Sequence, residues 1–204
     1  MAKLYFRYGA MNCGKTTSLL QVAHNYEERG MDILLLKPSI DKKGDNKVVS
    51  RLGVERDVDC LIKPDDRILS VVRKTLMDRN ISCILVDEAQ FLEPKQVDEL
   101  LFIATDCDIP VMCYGLRTDF KLNGFPGSSR LLEVASSIEE MKTICDCGKK
   151  ATINARFVNG EFTIDGDQVA IDGFDKITYK SMCPKCYYRE VERKNKVLKK
   201  SLWK

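Results

Sequence analysis

Two short stretches of this 204-residue chain carry residue types that can do chemistry. The first is "GAMNCGKT", Gly9 to Thr16, which fits the spacing G-x-x-x-x-G-K-[ST]. Glycines let such a loop wrap a phosphate so that backbone N–H groups converge on it, and a following helix N-terminus adds a favourable field. Lys15 brings positive charge to the outer phosphates, and the Thr16 hydroxyl can complete a magnesium shell. The second is "ILVDEAQF", residues 84 to 91, an apolar run ending in two adjacent carboxylates. Successive strand residues point to opposite sides, so Asp87 and Glu88 cannot both face one ion without help from the turn. Asp87 is the expected metal partner of the phosphate loop. Glu88 is then left for a different role, activating water, as in ATP-driven nucleic-acid motors, or a substrate hydroxyl, as in kinases.

A third constellation lies near the C-terminus. Cys145 and Cys147 are spaced C-x-C, Cys183 and Cys186 C-x2-C. Four thiolates in two close pairs suit tetrahedral zinc with no position left for substrate, so the metal is expected to be structural. It would staple the base of the excursion from Lys149 to Met182. That placement, away from Gly9 to Thr16, predicts that zinc supports substrate closure more than ATP binding. The other cysteines, Cys13, Cys60, Cys83, Cys107 and Cys113, read as small, partly buried side chains, and His24 as a solvated helix residue.

Positioning these residues requires alternating strands and helices. "LYFRY" reads as a strand, the phosphate loop follows, and "TTSLLQVAHNYEER" reads as a helix ended by Gly30. The strand "ILLLK", the helix "DDRILSVVRKTLMDR", the strand carrying Asp87, the helix "KQVDELLFIATD" and the strand "VMCYG" come next. This order predicts an α/β fold, a parallel sheet covered by helices on both faces. The stretch "RTDFKLNGFPGSS" reads as neither strand nor helix, and is expected to be a lid at the sheet's C-terminal edge. Three segments are expected: an ATP-binding domain over 1–141, a zinc-binding unit over 142–191, and a basic tail over 192–204.

The composition sets limits. With 44% apolar residues the chain can bury one main core and a small appendage. No run approaches a membrane span, "MAKLYFRYGA" lacks the sections of a signal peptide, and nine cysteines in that context argue for metal ligands and thiols; the reading is cytoplasmic. A net charge of +3 does not imply a nucleic-acid surface, and "RKNKVLKKSLWK" reads as a solvated helix end. No N-K-x-D sequence reads a guanine base, and no length remains for the second motor domain of a helicase. A zinc-bearing ATPase acting on nucleic acid stays as the alternative to a kinase.

"GAMNCGKTT", "VDEAQF", "CYGLRTDF" and the terminal cysteine unit, in this order, resemble the type II thymidine kinase family over essentially the whole chain. The resemblance implies a RecA-like ATP-binding domain, a zinc-held lasso domain covering the nucleoside, and transfer of the ATP γ-phosphate to the thymidine 5′-hydroxyl. It also implies a homotetramer and feedback inhibition by thymidine triphosphate. Glu88 matches the family's catalytic base. The nucleotide and metal site takes in Gly9, Ala10, Met11, Asn12, Cys13, Gly14, Lys15, Thr16 and Thr17, with Asp87, Glu88, Ala89 and Gln90. Met11 matches a methionine packed by the thymine, and Leu116, Phe120 and Phe125 match positions around the nucleoside and lid. In "QVAIDGFDKITYKSMC", Val169, Ala170, Ile171, Asp172, Gly173 and Tyr179 fall on the substrate loop. Asp172 replaces the first of a usual glycine pair there, and two extra residues precede Tyr179. Arg51 is a candidate support for phosphate or magnesium.

Overall fold

The computed structural model describes residues 1–41, 44–168 and 176–202. The chain packs as two units. The first holds Met1–Tyr8, Gly14–Arg117 and Phe125–Met141; the second is built from Gly9–Cys13, Thr118–Gly124 and the chain from Lys142 onward.

In the first unit the elements run β1 (Leu4–Tyr8), α1 (Lys15–Glu27), β2 (Asp32–Pro38), β3 (Lys47–Val49), β4 (Glu55–Asp57), β5 (Cys60–Ile62), α2 (Ile68–Asp78), β6 (Ile81–Val86), α3 (Pro94–Asp106), β7 (Val111–Gly115), α4 (Pro126–Val134) and β8 (Ser137–Glu140). Six strands form a parallel sheet in the order β5-β2-β6-β7-β1-β8, which bears out the expected α/β class. The period-2 alternation of strands sorts the apolar run "ILLLK" onto both faces. Leu34 and Leu36 join Ile84, Val86, Val72, Leu100 and Leu131 on one side, under α2, α3 and α4. Ile33 and Leu35 join Cys83, Leu85, Leu19 and Ala23 on the other, under α1.

One expectation is corrected here. Residues 126–129 of the expected lid are the start of α4, with Pro126 in its first turn and Phe125 at its N-cap. Proline suits that position because its missing N–H would have no helical partner there. Phe125, 4% exposed, packs edge-on to Phe91 at 5.6 Å between ring centroids. A Cβ on Gly127 would lie 2.5 Å from the Ala89 carbonyl oxygen and 2.7 Å from that of Leu92, so only glycine lets α4 approach the turn after β6.

The second unit contains β9 (Thr143–Ile144), β10 (Lys150–Ala151), β11 (Ile153–Val158), β12 (Glu161–Thr163), β13 (Ile177–Met182) and α5 (Pro184–Leu202). β9 and β10 pair with each other, and β11 is the centre of a three-stranded antiparallel sheet between β12 and β13. Its core is small: Ile153, Ala155, Phe157, Phe162, Met182 and Tyr187 around two of the cysteines. A core of that size calls for a staple. Residues 192–202, the basic stretch read as a helix end, are the last part of α5. Among the described residues no helix is long and apolar enough to cross a membrane.

Candidate functional site

Lys15 opens α1 and Gly14 caps it at φ 82°, a left-handed conformation that glycine adopts without strain. Lys15 is 9% exposed although it is charged. Asp87 lies one residue past the end of β6, is 5% exposed, and donates its N–H to the Leu36 carbonyl at 3.1 Å. Burial, then the neighbouring Glu88 charge and Asp41, push the Asp87 carboxyl up to about 7, while Lys15 pulls it down. A carboxylate held this high by burial is one a divalent cation would compensate, so its chemistry fits a magnesium ligand.

Glu88 answers the problem of adjacent acids. Its backbone turns left-handed, at φ 48° and ψ 39°, so that the chain leaves the strand and re-aims the side chain. The carboxylate is half-buried and accepts Nε2–H of Gln90 at 2.6 Å. Gln90, 1% exposed, accepts the Leu116 N–H on its Oε1 at 3.0 Å. A backbone N–H only donates, so that bond fixes which end of the amide is oxygen and leaves Nε2 for Glu88. Gly115 makes room: a Cβ there would fall 2.8 Å from Gln90 Oε1. The first unit thus brings together Lys15, Asp87, Glu88, Gln90 and Leu116. Ala89, buried beneath α4, supplies backbone packing.

Two residues of this unit, Lys37 and Asp41, escaped the sequence reading. Lys37, 1% exposed, ends the apolar run of β2 and pairs with Asp41 at 3.0 Å. It also donates to the Asp45 carbonyl at 3.2 Å and the Lys47 carbonyl at 3.4 Å. A lysine inside "ILLLK" was the available signal, since buried ammonium groups need partners. Arg51 is exposed.

In the second unit, one face of the β11–β13 pair is apolar and the other polar. Asn154 lies across from Ser181 and Arg156 across from Tyr179 in the strand register. Asn154 and Arg156 are only 4% and 3% exposed. Asn154 Oδ1 accepts the Met11 N–H at 2.7 Å, the Ser181 hydroxyl donates to the Met11 carbonyl, and Thr143 Oγ1 donates to the Asn12 carbonyl at 3.4 Å. The Arg156 guanidinium lies 3.6 Å from the Phe120 ring centroid, a cation–π contact, and donates to Tyr179 Oη at 3.0 Å and to the Gln168 carbonyl at 3.2 Å. Asp119 folds the 118–124 loop by accepting the Lys121 and Asn123 N–H groups at 2.8 Å each, and takes the Gln168 amide at 3.2 Å. Tyr187 Oη closes it with a 2.7 Å bond to the Phe120 carbonyl. Met11, Phe120 and Tyr179 therefore share one unit, and Leu116 and Phe125 the other. Val169, Ala170, Ile171, Asp172 and Gly173 lie outside the described residues.

The four cysteines converge. The Sγ atoms of Cys145, Cys147, Cys183 and Cys186 all lie within 4.8 Å of one another, and those of Cys147 and Cys183 are 3.6 Å apart. Tetrahedral zinc with bonds of about 2.3 Å needs sulfurs about 3.8 Å apart, so the cluster fits the metal. Two local turns build it. Gly148, at φ 80°, returns the chain so that its N–H meets the Cys145 carbonyl at 2.8 Å, and Pro184 starts α5 so that Cys186 falls in its first turn. The Cys186 N–H draws the Cys183 thiol down to about 7, while bonding to Cys147 and Cys183 pushes Cys186 up to about 12. Such a split is expected where adjacent thiols share protons and a cation would take their place. Of the phosphate loop, Gly9–Cys13 packs in the same unit as the cysteines, while Gly14, Lys15 and Thr16 belong to the first unit.

Comparison with known proteins adds a family. Residues 2–187 match the family model described as "Thymidine kinase". The chain is similar to a thymidine kinase of Idiomarina loihiensis, 50% identical over 91% of this chain and 95% of that protein. It is similar to one of Shewanella oneidensis, 47% identical over 93% and 98%, and to one of Rhodopirellula baltica, 48% identical over 90% and 86%. Identity at that level, sustained nearly end to end, extends past a shared architecture: the chain belongs to the thymidine kinase family.

Proposed function

We propose that the chain transfers the γ-phosphate of ATP to the 5′-hydroxyl of thymidine, with Glu88 as general base. Family membership makes it an ATP-dependent kinase with thymidine and ATP as substrates. The observation that carries the assignment of Glu88 is its placement: it turns out of β6 beside a buried Asp87 and is held by Gln90. In the step proposed, Glu88 takes the 5′-hydroxyl proton as that oxygen bonds the γ-phosphorus, and the bond to the β,γ-bridging oxygen breaks to release ADP. Gly9 to Thr17 bind the phosphates through backbone N–H groups, and Lys15 offsets the charge that moves to the leaving oxygen. Thr16 and Asp87 would hold magnesium, which would supply charge neutralisation for the phosphates.

Met11, Leu116, Phe120, Phe125 and Tyr179 are the residues we assign to the nucleoside, through the family resemblance. Val169 to Gly173 complete this assignment on the same ground. Structural zinc on the four cysteines, a homotetramer, inhibition by thymidine triphosphate and a cytoplasmic location, where thiols stay reduced, belong to the same proposal. A coupled assay of ADP release against a panel of nucleosides tests it, with single-stranded DNA as a separate arm. Turnover that requires thymidine supports the kinase. Turnover driven by DNA and indifferent to thymidine would establish a nucleic-acid-dependent ATPase instead.

A further inference from the structure

The phosphate loop works only if its N–H groups point the right way, and short loops do not hold such directions for nothing. Fixing a residue's backbone costs conformational entropy, so a loop ordered beforehand binds more tightly than one ordered by its ligand. Asn12 and Gly14 both sit left-handed, at φ 65° and 82°. Asn12 is the one of these that carries a side chain, of a type that adopts this conformation more readily than most.

The second unit supplies the restraint. Asn154 and Ser181 face each other across β11 and β13, and their side chains grip the two polar groups of one residue, the N–H and C=O of Met11. Thr143 grips the next carbonyl, that of Asn12. A trans peptide is planar, so its C=O and N–H point in opposite directions. A hydroxyl holding the Met11 carbonyl therefore sets the direction of the Asn12 N–H, and one holding the Asn12 carbonyl sets that of the Cys13 N–H. Asn154, holding the Met11 N–H, fixes the Ala10 carbonyl in the same way. Three consecutive peptide planes are thus oriented from outside the loop.

We propose that Asn154 and Ser181 are positioning residues for the nucleotide phosphates, acting through Met11, so that ATP affinity depends on the cysteine-held unit. The proposal rests on the reading of Gly9 to Thr16 as the phosphate loop. Neither residue touches ATP in this account. Their effect passes through the peptide planes of Met11 and Asn12.

Ser181 allows a controlled test. It lies on β13, an edge strand of the three-stranded sheet, and threonine and valine are isosteric β-branched residues that differ in a hydroxyl against a methyl. Binding of a nonhydrolysable ATP analogue with magnesium is measured by calorimetry for the wild type, Ser181→Val, Ser181→Thr and Asn154→Leu. Zinc content and melting temperature are followed in parallel. The expected result is about a tenfold loss of affinity in Ser181→Val and Asn154→Leu, the scale of one lost buried hydrogen bond, with zinc retained and most of the affinity restored in Ser181→Thr. Equal affinity in the valine and threonine variants, matching a wild type that binds, overturns the clamp and leaves the loop reading standing. A wild type that does not bind the analogue overturns the loop reading itself. Loss of affinity that only follows loss of zinc or of melting temperature makes the pair structural, and also overturns the proposal.

Discussion

Gln90 donates its Nε2 hydrogen to Glu88 Oε2 at 2.6 Å while its own oxygen is committed to the Leu116 N–H at 3.0 Å. The bond needs only an acceptor at position 88, and a glutamine there can supply one through its carbonyl. Glu88→Gln should keep this geometry, hold nucleotide and thymidine affinity within a small factor, and lower kcat by roughly 10²- to 10⁴-fold. Single-turnover formation of thymidine monophosphate at saturating substrates is the measurement, because it excludes slow product release. Retention of most of the rate would reduce Glu88 to a brace.

Gln90 itself should matter less, and differently. Gln90→Leu keeps bulk in a position 1% exposed but frees Glu88 and leaves the Leu116 N–H without its acceptor. The expected outcome is a kcat lowered by about tenfold, through a base that is present but loosely aimed, with ATP affinity unchanged. Steady-state kinetics with both substrates varied separate this from a binding defect, and an ATP KM that rises with kcat intact would contradict it.

Asp87 predicts a pH dependence of stability in magnesium-free buffer. Its carboxyl is raised to about 7 in the folded protein from an ordinary value of 3.8, so the folded state holds the proton more tightly than the unfolded chain. The charged form is therefore a cost that is full above pH 7 and fades as pH falls toward 4. Asp87→Asn should melt higher than wild type at pH 8, and the difference should close by about pH 4. A difference independent of pH would rule this out.

Gly127→Ala tests the approach of α4 to the turn that carries Glu88. The added Cβ meets backbone oxygen at 2.5 Å and 2.7 Å, and backbone cannot swing aside as a side chain can. Overpacking of this kind costs about 1–3 kcal/mol, a fall of several degrees in melting temperature. A midpoint equal to wild type would mean that α4 shifts freely.

Cys183→Ser should lose the metal and weaken ATP use together with thymidine use, since Gly9–Cys13 packs in the same unit as the thiols. Metal analysis with both KM values checks it. A rise confined to the thymidine KM would favour the view that zinc supports substrate closure more than ATP binding.

The sequence by itself determined what depends on local pattern. The glycine spacing of the loop, the strand and helix order, and the zinc-like spacing of the cysteines all follow from short-range rules of turn geometry, periodicity and ligand number. The structure bears out the parallel sheet and the converging thiols. Tertiary structure decided the rest, because it set which polar groups lose water. In "TINARFV" polar and apolar residues alternate, yet Asn154 and Arg156 are as buried as their apolar neighbours, one against Met11 and the other against Phe120. Likewise "GFPGSS" reads as loop from its glycines, but Gly127 is there for close approach to the Ala89 carbonyl, a contact 38 positions away in sequence, 127 minus 89. A polar side chain or a glycine looks the same in sequence whether water or another segment faces it, and only the packed chain settles which.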